Sequence, residues 1–112
     1  MKAFFIDSEK EEIKEVEYTN WEQISPMLGA RCFTVAVFNK KEDCVYIDDE
    51  GLLSLTEKSK FFEIEGYPQP LAGNGLVLGT NDEGESVEPS ITLEELKGIV
   101  TFLTIQEVRA RY

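Results

Sequence analysis

Apolar and polar positions fall into short blocks along this chain, and the blocks predict more strands than helices. Ala3-Phe4-Phe5-Ile6 is a continuous apolar run, the pattern of a buried strand. A polar turn, Asp7-Ser8-Glu9-Lys10-Glu11, follows it. Then Val16 and Tyr18 alternate with Glu15, Glu17 and Thr19, the period of a half-buried strand, so the two segments predict an N-terminal hairpin. In Cys32–Phe38, Thr34 and Ala36 alternate with the larger Phe33, Val35 and Val37. Both faces of that strand read as covered, which predicts a central position. Asn39-Lys40-Lys41-Glu42-Asp43 is a hairpin loop, and Cys44–Ile47 returns antiparallel. Leu76-Val77-Leu78, entered through Gly73-Asn74-Gly75 and closed by Gly79, is a compact buried strand, and Ile99–Leu103 is a last one.

Helices are predicted where capping residues precede apolar positions. Thr19 or Asn20 caps a helix whose Trp21, Ile24 and Leu28 share one face, with Trp21 as a core anchor. Pro26 keeps this helix short or distorted, and Gly29 stops it. Thr92 with Glu95, and Thr104 with Glu107, have capping-box spacing. They predict one short helix ending near Gly98 and a terminal one over Ile105–Arg111; a continuous helix from Thr92 to Tyr112 is the alternative, against which Gly98 and the β-branched run weigh. Leu52–Lys60 is ambiguous, and Phe61-Phe62-Glu63-Ile64 is a strand or the end of a short helix. The whole reads as one α+β domain over residues 1–112, a small, mostly antiparallel sheet with two or three short helices.

Charge changes the picture next. Eleven basic and 22 acidic residues give a formal charge of −11, with no histidine. From Phe61 to Leu96 there are acids but no Lys or Arg. A field of that sign repels phosphates and anionic lipid, which argues against direct nucleic-acid or membrane binding and favours a basic protein surface or a divalent cation. Solubility alone is the plainer use of such charge. No apolar stretch reaches the ~18 residues of a membrane span, and the N-terminal run meets Asp7 too soon for a signal peptide, so the expected setting is the cytoplasm. Cys32 and Cys44 then read as buried free thiols on neighbouring strands.

Candidate chemistry is sparse. Without histidine, the Ser-His, Cys-His and histidine–zinc arrangements are excluded within one chain, and two cysteines without a C-x-x-C pair build no Cys₄ zinc site. Asp48-Asp49-Glu50-Gly51 and Asp82-Glu83-Gly84-Glu85 lack the alternation of a calcium loop and suit turns. The glycines at 73, 75 and 79 flank a strand instead of joining a strand to a helix, so they are no dinucleotide fingerprint. No cofactor is expected, and no catalytic residue is assigned.

Three stretches carry a resemblance: Met1-Lys2-Ala3, Asp48-Asp49-Glu50-Gly51-Leu52-Leu53, and Gly73-Asn74-Gly75-Leu76-Val77-Leu78-Gly79 with the acidic loop after it. In that order the chain resembles a small uncharacterised family found in phages, prophages and plasmids. At Leu55-Thr56-Glu57-Lys58 it departs from the leucine-proline-x-asparagine segment frequent in that family. The resemblance implies a mobile-element origin and an intracellular setting, and no activity.

The leading expectation is a non-enzymatic accessory protein that binds a host or phage protein. In its sharper form it is a DNA mimic, presenting Asp48, Asp49, Glu50, Asp82, Glu83 and Glu85 to a basic nucleic-acid-handling surface. A nucleotide-like small-molecule binder is the second expectation, with a pocket at Gly73–Gly75, Tyr67 and Phe62 served by Arg31, Arg109 or Arg111. A carboxylate–metal hydrolase is the third. A homodimer through the N-terminal hairpin edge or an aromatic patch at Tyr67 is left open.

Overall fold

The computed structural model describes residues 1–50 and 55–111; Gly51-Leu52-Leu53, the tail of the first acidic turn, lies outside them. The fold is α+β. Among the described residues it has nine strands, β1 (Lys2–Asp7), β2 (Glu12–Glu17), β3 (Phe33–Val37), β4 (Cys44–Asp48), β5 (Lys60–Ile64), β6 (Leu71–Ala72), β7 (Gly75–Thr80), β8 (Ser86–Val87) and β9 (Val100–Thr104). Three short helices accompany them, α1 (Ile24–Leu28), α2 (Leu93–Ile99) and α3 (Ile105–Arg111).

The strands form two sheets where the sequence suggested one. The larger runs β2-β1-β7-β4-β3, with β8 paired to the end of β7; the smaller runs β6-β5-β9, and every pairing is antiparallel. The register lets the pleat explain the layering. Phe4, Ile6, Val77, Val45, Ala36 and Phe38 face the smaller sheet and meet Phe62, Ile64 and Leu71 together with Leu96 of α2. The opposite face of the larger sheet, with Ala3, Leu76 and Leu78, is covered by Ile24 and Leu28 of α1. The outer face of the smaller sheet, with Phe61 and Leu103, takes Ile105 of α3. Fully burying one such side chain contributes roughly 1.5–3 kcal/mol, so the Phe62 layer carries much of the fold.

The centre of the larger sheet is β7, whose residues from Gly75 to Gly79 are all buried. Two glycines make that crowding feasible. A Cβ on Gly75 would stand 2.8 Å from Phe62 Cζ and from Val45 Cγ2, and one on Gly79 would stand 2.7 Å from the Glu88 carbonyl oxygen.

Three expectations are corrected. The Cys32–Phe38 strand is not central: β3 is an edge, and Val35 and Val37 are 49% and 58% exposed. Trp21 is not a core anchor but 67% exposed. The chain at Trp21–Gln23 is a 3-10 turn, and that tighter winding swings Trp21 out while Ile24 and Leu28 still point inward. Cys44 is buried, whereas Cys32, just before β3, is exposed; the two sit at opposite ends of the β3–β4 ladder.

The capping signals hold. The Asn20 side chain accepts from the Glu22 N–H at 3.0 Å, and the Gln23 side chain reaches back to the Asn20 N–H. Pro26 falls in the first turn of α1, where its missing N–H has no helical partner to lose. Gly29 then closes α1 with a left-handed φ of 68°. Thr92 and Glu95 exchange bonds of 3.0 and 3.1 Å at the start of α2, and Thr104 and Glu107 do so at 3.1 and 3.2 Å before α3. Two separate helices therefore replace the continuous alternative.

Candidate functional site

The six carboxylates singled out in the sequence lie on two turns. The first follows β4. There Asp48 Oδ1 accepts the Glu50 N–H at 2.9 Å, an Asx turn that reverses the chain, and the Asp49 N–H donates to the Cys32 carbonyl at 3.2 Å. Glu50 is not free charge: Arg31 Nη2 stands 2.9 Å from its Oε2, and Arg31 Nε reaches Oε1 at 3.3 Å. Of the three, Asp49 is exposed and Asp48 and Glu50 are half-buried.

The second turn joins β7 to β8 and is built by Asn81. Its Oδ1 accepts the N–H groups of Glu83 at 3.0 Å and Glu85 at 2.9 Å, while its backbone bonds to Glu85 and Gly84 close the loop. Gly84, at φ 81°, supplies the left-handed residue the closure needs. Asp82, Glu83 and Glu85 are thereby directed to solvent, and among the described residues none of them has a cation within ion-pair distance.

The two turns do not meet. Tyr46 is level with Leu76 and Cys44 with Leu78, so Asp48 lies at the Gly75 end of the sheet and Asn81 beyond the Thr80 end. The strand between those levels is about 20 Å long at ~3.3 Å per residue. Each turn is a separate surface.

The Gly73 region forms a cleft of about 370 Å³ whose lining includes Ser8, Lys58, Lys60, Gly73 and Asn74. Buried Ser8 shapes it, its hydroxyl donating to the Gly73 carbonyl and its N–H to Asn74 Oδ1 at 3.0 Å. Lys58 and Lys60 are offset in the lining by Glu9 and Asp48. The other groups anticipated there lie elsewhere. Phe62 is in the core, Tyr67 packs against it, and Arg31, Arg109 and Arg111 pair with Glu50, Glu57 and Glu63.

Sequence reasoning passed over Asp43, a fully buried carboxylate at the end of the β3–β4 loop. Its oxygens accept the Ser90 N–H at 2.8 Å, the Ile91 N–H at 3.0 Å and the Asn39 amide at 2.9 Å. Two of these bonds clasp the segment before α2 and the third ties the carboxylate to its own loop, which makes Asp43 a fastener. The pairing of Asn39 with Asp43 in one turn was the available local signal; Ser90 is too distant in sequence to have been found.

Titration offers little chemistry. Burial pushes the Cys44 thiol up, against the lowering effect of the Thr80 hydroxyl, and burial likewise pushes the Tyr46 phenol up, against a bond with Ser86. A raised thiol is a poor nucleophile. Among the described residues, no three Cys, Asp or Glu side chains are grouped to hold a metal ion.

The chain belongs to a family described as a domain of unknown function, DUF3846, whose model matches residues 1–108. No curated protein and no solved structure matches it.

Proposed function

We propose that this protein is a non-enzymatic binding module that offers the acidic β7–β8 turn to a basic surface on another protein. The observation that carries the reading is the Asn81 scaffold, which spends its bonds on holding the loop so that Asp82, Glu83 and Glu85 stand outward, without an ion-pair partner among the described residues. A preformed turn loses little freedom on binding, and a net charge of −11 steers a cationic partner toward it. In the finer form of the proposal the partner handles nucleic acid and the turn takes the place of a phosphate run. An origin on a phage or other mobile element, and action in the cytoplasm, belong to the same proposal.

The test is an affinity capture from host lysate at low and high salt, run with the wild type and with Asp82→Asn, Glu83→Gln and Glu85→Gln combined. The expected result is a nucleic-acid-handling protein held at low salt, released at high salt, and lost with the triple variant. Undiminished capture by the triple variant removes the turn from the proposal. The cleft beside Gly73 is the place for a second reading, a small nucleotide-like ligand that Lys58 and Lys60 would have to hold against Glu9 and Asp48, and a thermal-shift screen with nucleotides would reveal it.

A further inference from the structure

The open side of β3 is an unprotected edge of the larger sheet. Its ladder with β4 is framed by two bonds, the Asp49 N–H to the Cys32 carbonyl and the Phe38 N–H to the Asp43 carbonyl, each 3.2 Å. Antiparallel rungs recur at every second residue, so positions 32, 34, 36 and 38 bond inward. The N–H and C=O groups of Phe33, Val35 and Val37 therefore point away from the sheet. Among the described residues no strand pairs with them. Val35 and Val37 add exposed apolar side chains beside those groups. The strand holds no charge and no proline, the usual protections of an edge.

We infer that β3 pairs antiparallel with β3 of a second copy, about a two-fold axis beside Val35. The free groups are self-complementary in that register. Val35 exchanges both of its bonds with the partner's Val35, and Phe33 and Val37 exchange theirs with the partner's Val37 and the partner's Phe33, as an isologous interface requires. Charge selects the same edge. From Gln23 to Lys41 the chain carries no acid, so β3 itself adds nothing to the repulsion between two molecules of net charge −11. Antiparallel pairing also opposes unlike ends. The Asp49–Glu50 turn, next to Cys32, lies alongside the partner's Lys40 and the partner's Lys41, and the reciprocal contact recurs across the axis. The result joins two larger sheets into one and leaves both β7–β8 turns free.

Sedimentation of the wild type over a concentration series tests this, with Val35→Lys as the disrupting variant. The expected wild-type mass is twice 12.7 kDa, falling to that of a single chain in Val35→Lys with an unchanged far-ultraviolet circular dichroism spectrum, since the side chain replaced is half exposed, while the melt loses the concentration dependence that a dimer gives the wild type. Val35→Cys in a Cys32→Ser background reports register, because residues paired across the axis oxidise to a cross-linked dimer. Trp21→Cys in the same background, away from the axis, does not. A wild type that stays at single-chain mass at every concentration overturns the inference, even if a foreign strand is later found on this edge. A dimer that survives Val35→Lys, or that yields no Val35→Cys cross-link, overturns it as well.

Discussion

The larger sheet has two edges, and they are made differently. Edge β2 turns Glu12, Lys14, Glu15 and Glu17 to solvent, and its apolar Ile13 faces the core. Edge β3 turns Thr34, Val35 and Val37 outward. Charges along an exposed strand make a second strand pay desolvation before any ladder forms, so β2 is guarded against strand pairing and β3 carries no such guard. One sheet thus carries a guarded end and an available end. The guarding follows sequence, since both edges have the same kind of pairing behind them.

The largest effect comes from the strand that supports both edges. Gly75→Ala puts a methyl 2.8 Å from Phe62 and Val45, and overpacking of this kind costs about 3 kcal/mol at the upper end of its usual range. Urea denaturation should show that loss in a single transition, because β1 with β2, and β4 with β3, both hang on β7. Loss of one edge without the other would show that the sheet is not one cooperative unit.

The comparison itself is broken by making β2 resemble β3. Glu15→Val removes a charge from the guarded edge at an exposed position, so stability should stay within about 0.5 kcal/mol. Self-association should rise, read as concentration-dependent light scattering. No rise would mean that the remaining Glu12, Lys14 and Glu17 suffice as guards.

The smallest effect is a pH dependence at the start of α2, the helix that lies against β2. Bonds from the Thr92 backbone N–H and with its hydroxyl hold the Glu95 carboxyl below its ordinary value of 4.5. A carboxyl lowered in the folded state adds stability above its unfolded value and loses it as pH falls through the folded one. Melting temperature should therefore drop slightly below about pH 4.5 in the wild type and less in Glu95→Gln, which keeps the cap but does not titrate. An equal drop in both would assign the acid sensitivity elsewhere.

These elements also mark how far the sequence can be read. The β1–β2 hairpin, the stop at Gly29 and both C-terminal capping boxes were legible because the residues that define them are within a few positions of one another. The place of β3 was not. Its alternation of small and large residues is the same whether a strand has one neighbour or two, and only the arrival of β7 between β1 and β4 decides that. Trp21 misled for a related reason: its spacing to Ile24 and Leu28 fits an α-helical face, but the Asn20–Gln23 capping box winds the first turn as 3-10. Of the candidate site, the composition of both acidic turns was plain, and the Asn81 scaffold was contained in their residues. That they stand at opposite ends of a sheet depended on register, which no local pattern encodes.

The place of β7 has a consequence for synthesis. As the chain leaves the ribosome, β1 with β2 and then β3 with β4 emerge as two hairpins, each able to close on itself. The strand that must lie between them is made afterwards, along with Phe62 and Leu71, which cover its inner face. An isolated hairpin is marginal in water, so through that interval the β3 strand, Val35 and Val37 included, is exposed on both of its faces. Release of the chain before Gly75 would leave two hairpins with no shared sheet, and such fragments should be found in aggregates or be degraded.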